Sequence, residues 1–503
     1  MDIDWEVAID WDDDGVFEDV HTSSSGSLES IAIKGGREGA GDDFAATELR
    51  FTLENPEGVY SRFNPSSPIY GDMKPGRAIR VRATHNAVTY TRFLGEFVEA
   101  EEGYQGAEVP LVTFSALGAF ERLRRGSLRI SLQENKRVDE LLTVIADAAN
   151  WPIGRRTFDT ARVTLDRFWQ YRASPLEALK AAAKQELGGQ LYENAAGDLT
   201  FENRDHRALE ALYATVTDPL LLGLNNRFGD LIDRVKFTRA GLDVEAGLTA
   251  VWSLSPGGRR LDPGSSSPLN TIHVEYDVAA KGAVTPVAFT DYNANAQADG
   301  LGADKTAQVA IASFTSYGGG ATIVFDNQDS APVYLVGAPA AQIRAQAVRR
   351  SNDERAIEVL AASSLVSDQE LADDFEFNDD AAAIRSFALW RAATLSEDQP
   401  RPRLRLLTST DAEIAIALGI DVSKLVRVQH TTGLYPSYVD GYFYVEGYSL
   451  EQVIGEDLRA EVTLFSADQA IGSFFRISGA AGAGQDYSLI RSAGDTDGDR
   501  IAW

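Results

Sequence analysis

The chain has 503 residues, 44% of them hydrophobic and 24% charged, with no cysteine and a formal net charge of −28 from 75 acidic and 47 basic residues. That length predicts about three or four domains of ordinary size. The composition excludes a disordered or fibrous chain, and the missing cysteine excludes disulfide frameworks, thiolate metal sites, iron–sulfur clusters and thiol nucleophiles.

A self-repelling acidic surface makes a polyanion a poor docked partner. Only nine of the 47 basic residues are lysine. Two readings compete for this balance: a high-GC genome that encodes arginine over lysine, or a saline setting where carboxylates hold water and salt screens their repulsion. No apolar run reaches the roughly 18 residues of a membrane span. The acidic start Met1-Asp2-Ile3-Asp4-Trp5 differs from the basic start of a signal peptide, so a soluble protein outside the general secretory route is expected.

Residues 1–125 read as mostly β. Apolar or alternating runs at 5–9, 28–33, 48–53, 78–83, 92–98 and 109–114 are separated by turn clusters at Asp13-Asp14-Gly15, Lys34-Gly35-Gly36, Asn55-Pro56-Glu57-Gly58, Lys74-Pro75-Gly76 and Glu102-Gly103. Such spacing points to a barrel or sandwich. The period then changes: Val138, Leu141, Leu142, Ile145 and Ala149 share one face of an amphipathic helix. A second helix has Ser174 as N-cap, Pro175 at its first position, Glu177 completing a capping box and Gly188-Gly189 as its stop. Residues 191–193 and 199–201, joined by Ala196-Gly197-Asp198, read as a hairpin. Residues 126–215 thus form a small α/β module.

Strands return at 230–237 and 248–254, before a Gly/Ser/Pro-rich break at 255–268 that is the best linker candidate. Residues 261–400 read as an inserted β-rich domain with helices. Polar turns fall at Asn293-Ala294-Asn295 and Ser316-Tyr317-Gly318-Gly319-Gly320, and a helix follows Asn378, built on Ala382, Ile384, Phe387, Ala388, Trp390 and Leu395. Strands resume at 404–407, 425–428, 442–448 and 460–465, and residues 466–503 form a Gly/Ala/Asp-rich C-terminal arm. No period of about 20–50 residues marks a solenoid. The expected fold class is mainly β with α+β modules: an N-terminal β-barrel at 1–125 and a discontinuous second β-barrel at 216–260 and 401–465, enclosing the α/β module and the insert.

Asp10-Trp11-Asp12-Asp13-Asp14-Gly15 contains D-x-D-x-D-G, the opening of a calcium loop, where alternating carboxylates converge on one hard cation. Asp10, Asp12 and Asp14 are the candidate ligands. The loop's twelfth position is His21, where an EF-hand needs a bidentate glutamate, and a turn between two strands explains the same residues. Asp495-Thr496-Asp497-Gly498-Asp499 is a similar fragment, accounted for by the acidic composition.

The five histidines, His21, His85, His206, His273 and His430, show no paired spacing, and no nucleophile elbow, Walker A, dinucleotide or H-E-x-x-H pattern occurs. Ser316 to Gly320 lacks a lysine and reads as a loop. No carboxylate pair stands out as a glycosidase acid and nucleophile. The expectation is no catalytic residue, no cofactor and no resident metal. Tyr435, Tyr438, Tyr442, Phe443 and Tyr444 read as barrel packing, with a sugar platform as the alternative. Arg122, Arg124 and Arg125 end a short helix expected at 116–123 and complement its dipole; the alternative is an inter-subunit salt-bridge site.

The first 125 residues are more specific as a set. Val7-Ala8-Ile9-Asp10-Trp11-Asp12-Asp13-Asp14-Gly15 is followed by Ile33-Lys34-Gly35-Gly36-Arg37-Glu38, Leu53-Glu54-Asn55-Pro56-Glu57-Gly58-Val59-Tyr60-Ser61 and Ser66-Ser67-Pro68-Ile69-Tyr70-Gly71. Then come Pro75-Gly76-Arg77-Ala78-Ile79-Arg80-Val81-Arg82, Phe93-Leu94-Gly95-Glu96 and Val112-Thr113-Phe114-Ser115-Ala116-Leu117. The order and spacing of these blocks resemble those of tail hub, or baseplate hub, minor tail proteins of long-tailed phages and related tailed viruses. Ser174-Pro175-Leu176-Glu177-Ala178-Leu179, with Gly197-Asp198-Leu199-Thr200-Phe201 behind it, resembles the helix-and-hairpin module of these hubs. Tyr442-Phe443-Tyr444-Val445-Glu446-Gly447-Tyr448 and Ala460-Glu461-Val462-Thr463-Leu464 resemble the closing strands of their second barrel. The likeness covers roughly half of the chain.

The resemblance implies a non-enzymatic virion protein at the tail tip, assembled in the host cytoplasm: a homotrimer whose two similar β-barrels per chain present six barrels to a sixfold tail tube. Its implied partners are the distal tail protein or tube ring above, a spike, fibre or receptor-binding protein below, and tape-measure protein and DNA in transit through the channel. An acidic channel wall agrees with DNA that must slide past. The rival readings are a distal tail or fibre-attachment protein with a carbohydrate-binding insert, and a tail-associated cell-wall hydrolase.

Overall fold

The computed structural model describes residues 3–37, 43–103, 110–225, 232, 234–239, 241–255, 257–337, 339–350, 355–360, 370–396, 401–429 and 440–467. The protein is mainly β, with a few helices. Its N-terminal strands form where the sequence alternates. Ala78–His85 buries Ile79, Val81, Ala83 and His85; Glu48–Glu54 buries Leu49, Phe51 and Leu53; Leu111–Leu117 buries Val112, Phe114 and Ala116. A period of two sends each apolar set to one side of the pleat. These sides meet in one core with Trp5, Val7 and Ile9 of Asp4–Asp10, where the Phe51 and Phe114 rings stack with centroids 4.9 Å apart.

The strands make one thirteen-stranded sheet. From one end its order is Asp19–Thr22, Asp4–Asp10, Ala78–His85, Val88–Gly103, Leu111–Leu117, Glu48–Glu54, Leu28–Gly36, Asp440–Val453, Arg459–Ser466, Arg401–Leu406 and Leu220–Asn225. Leu425–Gln429 branches from Asp440–Val453 and carries Leu212–Thr217 in parallel. Among the described residues the ladder stays open. Strands expected in two separate barrels share it, joined where Leu28–Gly36 pairs antiparallel with Asp440–Val453, Ile33 opposite Leu450 and Gly36 opposite Gly447.

That junction corrects one expectation. Lys34-Gly35-Gly36 is strand rather than turn, and the glycines serve close approach. A Cβ on Gly36, whose φ is +94°, would overlap the Glu446 carbonyl oxygen, and one on Gly35 would meet the Tyr448 ring at 2.8 Å. Glu102-Gly103 likewise ends the long strand Val88–Gly103 rather than forming a turn.

The module follows its sequence signals. Val138–Ala148 buries Val138, Leu141, Leu142, Ile145 and Ala146. Pro175–Lys184 starts at the capping box, where the Glu177 N–H donates to Ser174 Oγ at 3.2 Å and the Ser174 N–H donates to Glu177 Oε2 at 2.8 Å. It ends at Lys184, one turn before Gly188. The hairpin Gln190–Glu193 and Leu199–Glu202 gains a parallel third strand, Arg156–Phe158. Leu128–Arg137 and Thr164–Ala173 form a long ribbon that the sequence did not announce. The helix Asp411–Gly419 was also unforeseen, although Thr410 and Glu413 form a capping box. Buried Arg92 donates to the carbonyl oxygens of Leu418 and Ile420 at 2.8 and 2.7 Å where that helix ends.

The stretch 216–260 divides. Leu220–Asn225 pairs with Arg401–Leu406, whereas Arg234–Arg239 pairs with Arg355–Leu360 and Glu370–Phe375, and Thr249–Ser253 with Gln342–Arg350. Alternation marks a strand but does not name its partner. The expected linker contains Arg259–Leu261, paired with Val333–Leu335, so it is partly sheet. Val251, Ile323, Phe325, Leu335 and Ile343 form a second core. A third holds Val235, Phe237 and Phe375 against Ile384 and Ala388 of the helix Ala381–Ser396. The expected arm beyond Ala467 lies outside the described residues. No helix among the described residues is long and apolar enough to cross a membrane.

Two glycines test the junction. Gly26 has φ +75° with open space around it, whereas Gly36 combines positive φ with backbone contact. Gly26→Ala is expected to cost about 1–2 kcal/mol, the left-handed penalty alone, and Gly36→Ala to cost several kcal/mol by adding overlap. Denaturant unfolding measures both; equal losses would show that the Gly36 contact is relieved without strain.

Candidate functional site

The acidic loop is built first by its own backbone. The Asp10 carboxylate is buried and accepts the N–H groups of Asp13 at 2.7 Å and Gly15 at 2.9 Å. Asp14 Oδ1 accepts the Val16 N–H at 2.7 Å and Glu18 Oε1 that of Trp11 at 3.0 Å. The sharp bend is carried by Asp13 and Gly15, with φ of +68° and +87°. Asp10, Asp12, Asp14 and Glu18 each offer an oxygen, all within 4.8 Å of one another. Partial desolvation and the neighbouring charges of Asp14, Glu18 and Asp10 push the Asp12 carboxyl up. Glu18, ninth in the loop, joins the cluster, whereas His21, at the twelfth position where a calcium loop needs a glutamate, is not part of it. These side chains could hold a hard cation, but the hydrogen bonds already account for the turn.

Arg122 and Arg124 lie in the last turn of Ala119–Arg124, with Arg125 as its C-cap. The helix begins three residues later than expected, because Ala116 and Leu117 complete the preceding strand. Arg125 and Arg122 reach Glu96 at 3.2 and 3.8 Å, and Arg124 reaches Glu121 at 3.5 Å. Burial pushes the Glu96 carboxyl up, opposed by Arg125 and Arg122.

A third cluster was missed because its members are far apart in sequence. Glu446 is 1% exposed. Arg37 Nε donates to its Oε2 at 2.6 Å, and Arg207 Nη1 donates to its Oε1. The Arg207 Nε donates to Ser423 Oγ at 3.1 Å, and Ser423 donates to Glu202 Oε2 at 2.6 Å. Tyr192 donates to Glu202 Oε1 at 2.6 Å, and the Tyr444 hydroxyl donates to the Arg207 carbonyl. Against the penalty of burial, the Arg207 and Arg37 charges hold the Glu446 carboxyl down at about 2, and the acids around Arg207 hold its guanidinium protonated. Next to this network, His206 sits 2.7 Å from Asp159 and 3.3 Å from Glu202.

Glu193 makes a second tie between module and sheet, accepting the Thr47 N–H at 2.6 Å and the Phe120 N–H at 2.8 Å. Burial pushes its carboxyl up. Gly118 is needed beside it, since a Cβ there would overlap the Glu193 carboxylate.

The remaining candidates separate. His21 contacts Ser27, Tyr60 and Asp19; His85 lies 3.3 Å from Asp411; His273 contacts Thr322. Tyr444 and Phe443 are buried, as packing residues, whereas His430, Tyr435, Tyr438 and Asp495 to Asp499 lie outside the described residues. The Ser316 to Gly320 stretch is a hairpin turn, Tyr317 opposite Gly320. Added Cβ atoms on Gly318 and Gly319 would run into Trp169 and Tyr171.

Two expectations follow. Asp10→Ala should cost about 1 kcal/mol by removing the charged acceptor shared by the exposed backbone N–H groups of Asp13 and Gly15, with Asp12→Ala near neutral in metal-free buffer. Calcium calorimetry should then be silent, and micromolar binding abolished by Asp12→Ala would overturn the turn reading. For Glu446, a folded pKa below the unfolded one means that its contribution is full above the usual 4.5 and lost as pH falls toward about 2. Relative to Glu446→Gln, the wild type should hold a margin of roughly 3 kcal/mol at neutral pH that closes in that window. The raised carboxyl of Glu193 acts oppositely on total stability, since its protonation favours the folded state, but it is present in both proteins and cancels from the margin. A margin independent of pH would reject the paired-charge account.

No family model and no curated protein matches the sequence. Among solved structures, the chain is similar to the 43 kDa tail protein of prophage MuSo2 from Shewanella oneidensis, with 12% identity, a TM-score of 0.48 and coverage of 93% of this chain and 99% of the other. It is also similar to a tail protein from Neisseria meningitidis, at 11% identity and TM-score 0.46, covering 92% and 96%. A third similar structure is a type VI secretion system component of E. coli, described as resembling T4 bacteriophage tail proteins, at 9% identity and TM-score 0.40, covering 92% and 76%.

Proposed function

We propose that this chain is a structural protein of the tail of a tailed virus or related particle, and that it forms the trimeric hub at the tail tip. The observation that carries the reading is the ordered succession of hub-like blocks between Val7 and Leu117, with Tyr442 to Tyr448 and Ala460 to Leu464 as closing strands. These two sets, remote in sequence, are neighbours in one sheet, with Gly35 opposite Tyr448 and Gly36 opposite Gly447. Seven of the thirteen strands come from the first 117 residues and six from later segments, all in one open ladder.

On this reading three chains present six barrels to the sixfold tube or distal tail ring. The opposite side holds a spike, fibre or receptor-binding protein, and the channel passes tape-measure protein and then DNA. The protein acts through interfaces, without a catalytic residue or cofactor, in a virion assembled in the host cytoplasm. The net charge of −28 on each copy keeps DNA in transit from binding the wall, and salt moderates repulsion between copies.

Mass photometry across salt concentrations is expected to report a trimer, and a strictly monomeric or hexameric species would overturn the hub reading. A low-resolution map of the particle tip should show threefold density beside a sixfold ring. Zymography on host envelope should show no clearing; a clear band would favour the hydrolase, and glycan capture by the full chain the fibre-attachment reading.

A further inference from the structure

At Arg122, Arg124 and Arg125 guanidiniums outnumber the carboxylates paired with them. Arg122, Arg124 and Arg125 have side chains 48%, 57% and 48% exposed. Among the described residues two carboxylates pair with these three guanidiniums, each shared: Glu96 by Arg122 and Arg125, and Glu121 by Arg124 and Arg125. Positive charge is thus left over on a chain whose acidic residues outnumber the basic by 75 to 47.

An apolar anchor stands beside it. Trp151 is buried and donates Nε1 to the Arg155 carbonyl at 2.9 Å, while Arg155 reaches the Gly197 carbonyl and, at 3.5 Å, Asp198. These ties fix the short turn Ile153–Arg155 and turn Ile153 outward, 80% exposed. The Arg122 guanidinium lies 5.4 Å and that of Arg155 5.0 Å from the centre of the Trp151 ring, so Arg122 and the turn that carries Ile153 meet at the same ring. Arginine and a rigid aliphatic tip desolvate at lower cost than lysine or a mobile loop, and such residues are enriched where protein surfaces meet.

We infer that the surface formed by Arg122, Arg124, Arg125 and Ile153 is the contact through which one copy of this chain holds an acidic surface of the next. The complement of surplus arginine is carboxylate, and the exterior of this same chain supplies it in excess. A basic patch meeting an acidic one is a head-to-tail contact, which closes into a ring when the rotation allows. The inference rests on the oligomeric hub reading and adds the residues that join its copies.

The test compares Arg122→Glu/Arg124→Glu with Arg260→Glu/Arg349→Glu, which changes net charge equally on two other exposed arginines. Self-association is followed by light scattering against protein and salt concentration, with circular dichroism and Tm as checks of folding. At low salt the first variant should dissociate about tenfold more readily than the second, and the difference should shrink as salt screens the contact. Equal association of the two, with a wild-type trimer, would overturn the contact and leave the hub reading standing. A wild type that stays monomeric at every concentration and salt would overturn both. Should the arginine variant fail to fold, Ile153→Asp, on a side chain 80% exposed, should lose association at unchanged Tm; full association would overturn the inference.

Discussion

A single buried carboxylate constrains how this chain is put together. Glu446 cannot stay ionised in its position without partners, and its partners, Arg37 and Arg207, lie 409 and 239 residues away in sequence. One follows the strand Leu28–Gly36 and the other sits in the short helix His206–Leu209. Satisfying the charge therefore brings the first strands, the module and the last strands to one place. Replacing such a cluster by well-packed apolar residues can be neutral, but removing one partner leaves an uncompensated charge and costs about 3–5 kcal/mol. The glycines at 35, 36 and 447 belong to the same constraint, since they let the strands approach around the pair.

The preference for arginine over lysine takes a structural meaning in this light. Arg92 caps a helix end with two bonds, Arg344 holds the buried Asp291 through two nitrogens at 2.6 and 2.9 Å, and Arg403, Arg405 and Arg459 converge on Glu461. A planar guanidinium serves several acceptors at fixed angles, which a lysine ammonium does not. A coding bias could enrich arginine, but these positions use its geometry. Acidic residues likewise divide into those that shape the interior, such as Glu193 and Glu446, and the larger number that keep the exterior repulsive.

Function through interfaces agrees with this division of labour. The acidic loop Asp10 to Glu18 is internally hydrogen bonded, the four described histidines each have separate partners, and the Gly318-Gly319 turn is occupied in seating a hairpin against Trp169 and Tyr171. What the described surface presents outward is a largely negative field with arginine-rich exceptions, at Arg122, Arg124 and Arg125 and at Arg403, Arg405 and Arg459.

Local chemistry was legible in the sequence wherever it is short-range. Alternation placed the strands near Ile79, Phe51 and Phe114, the 3.6-residue period placed Val138–Ala148, and the capping box at Ser174 started its helix where expected. Thr410 and Glu413 carried the same signal for Asp411–Gly419 and were passed over. The errors lie where local rules are silent: Lys34-Gly35-Gly36 has the composition of a turn, yet its glycines make room for another strand. Pairing partners, the sharing of one sheet by both ends of the chain, and the meeting of Arg37, Arg207 and Glu446 were decided only by tertiary structure. The physical reason is that a strand's pattern states which side is buried but not against what, and a charged residue's identity does not say whether water or an opposite charge will surround it.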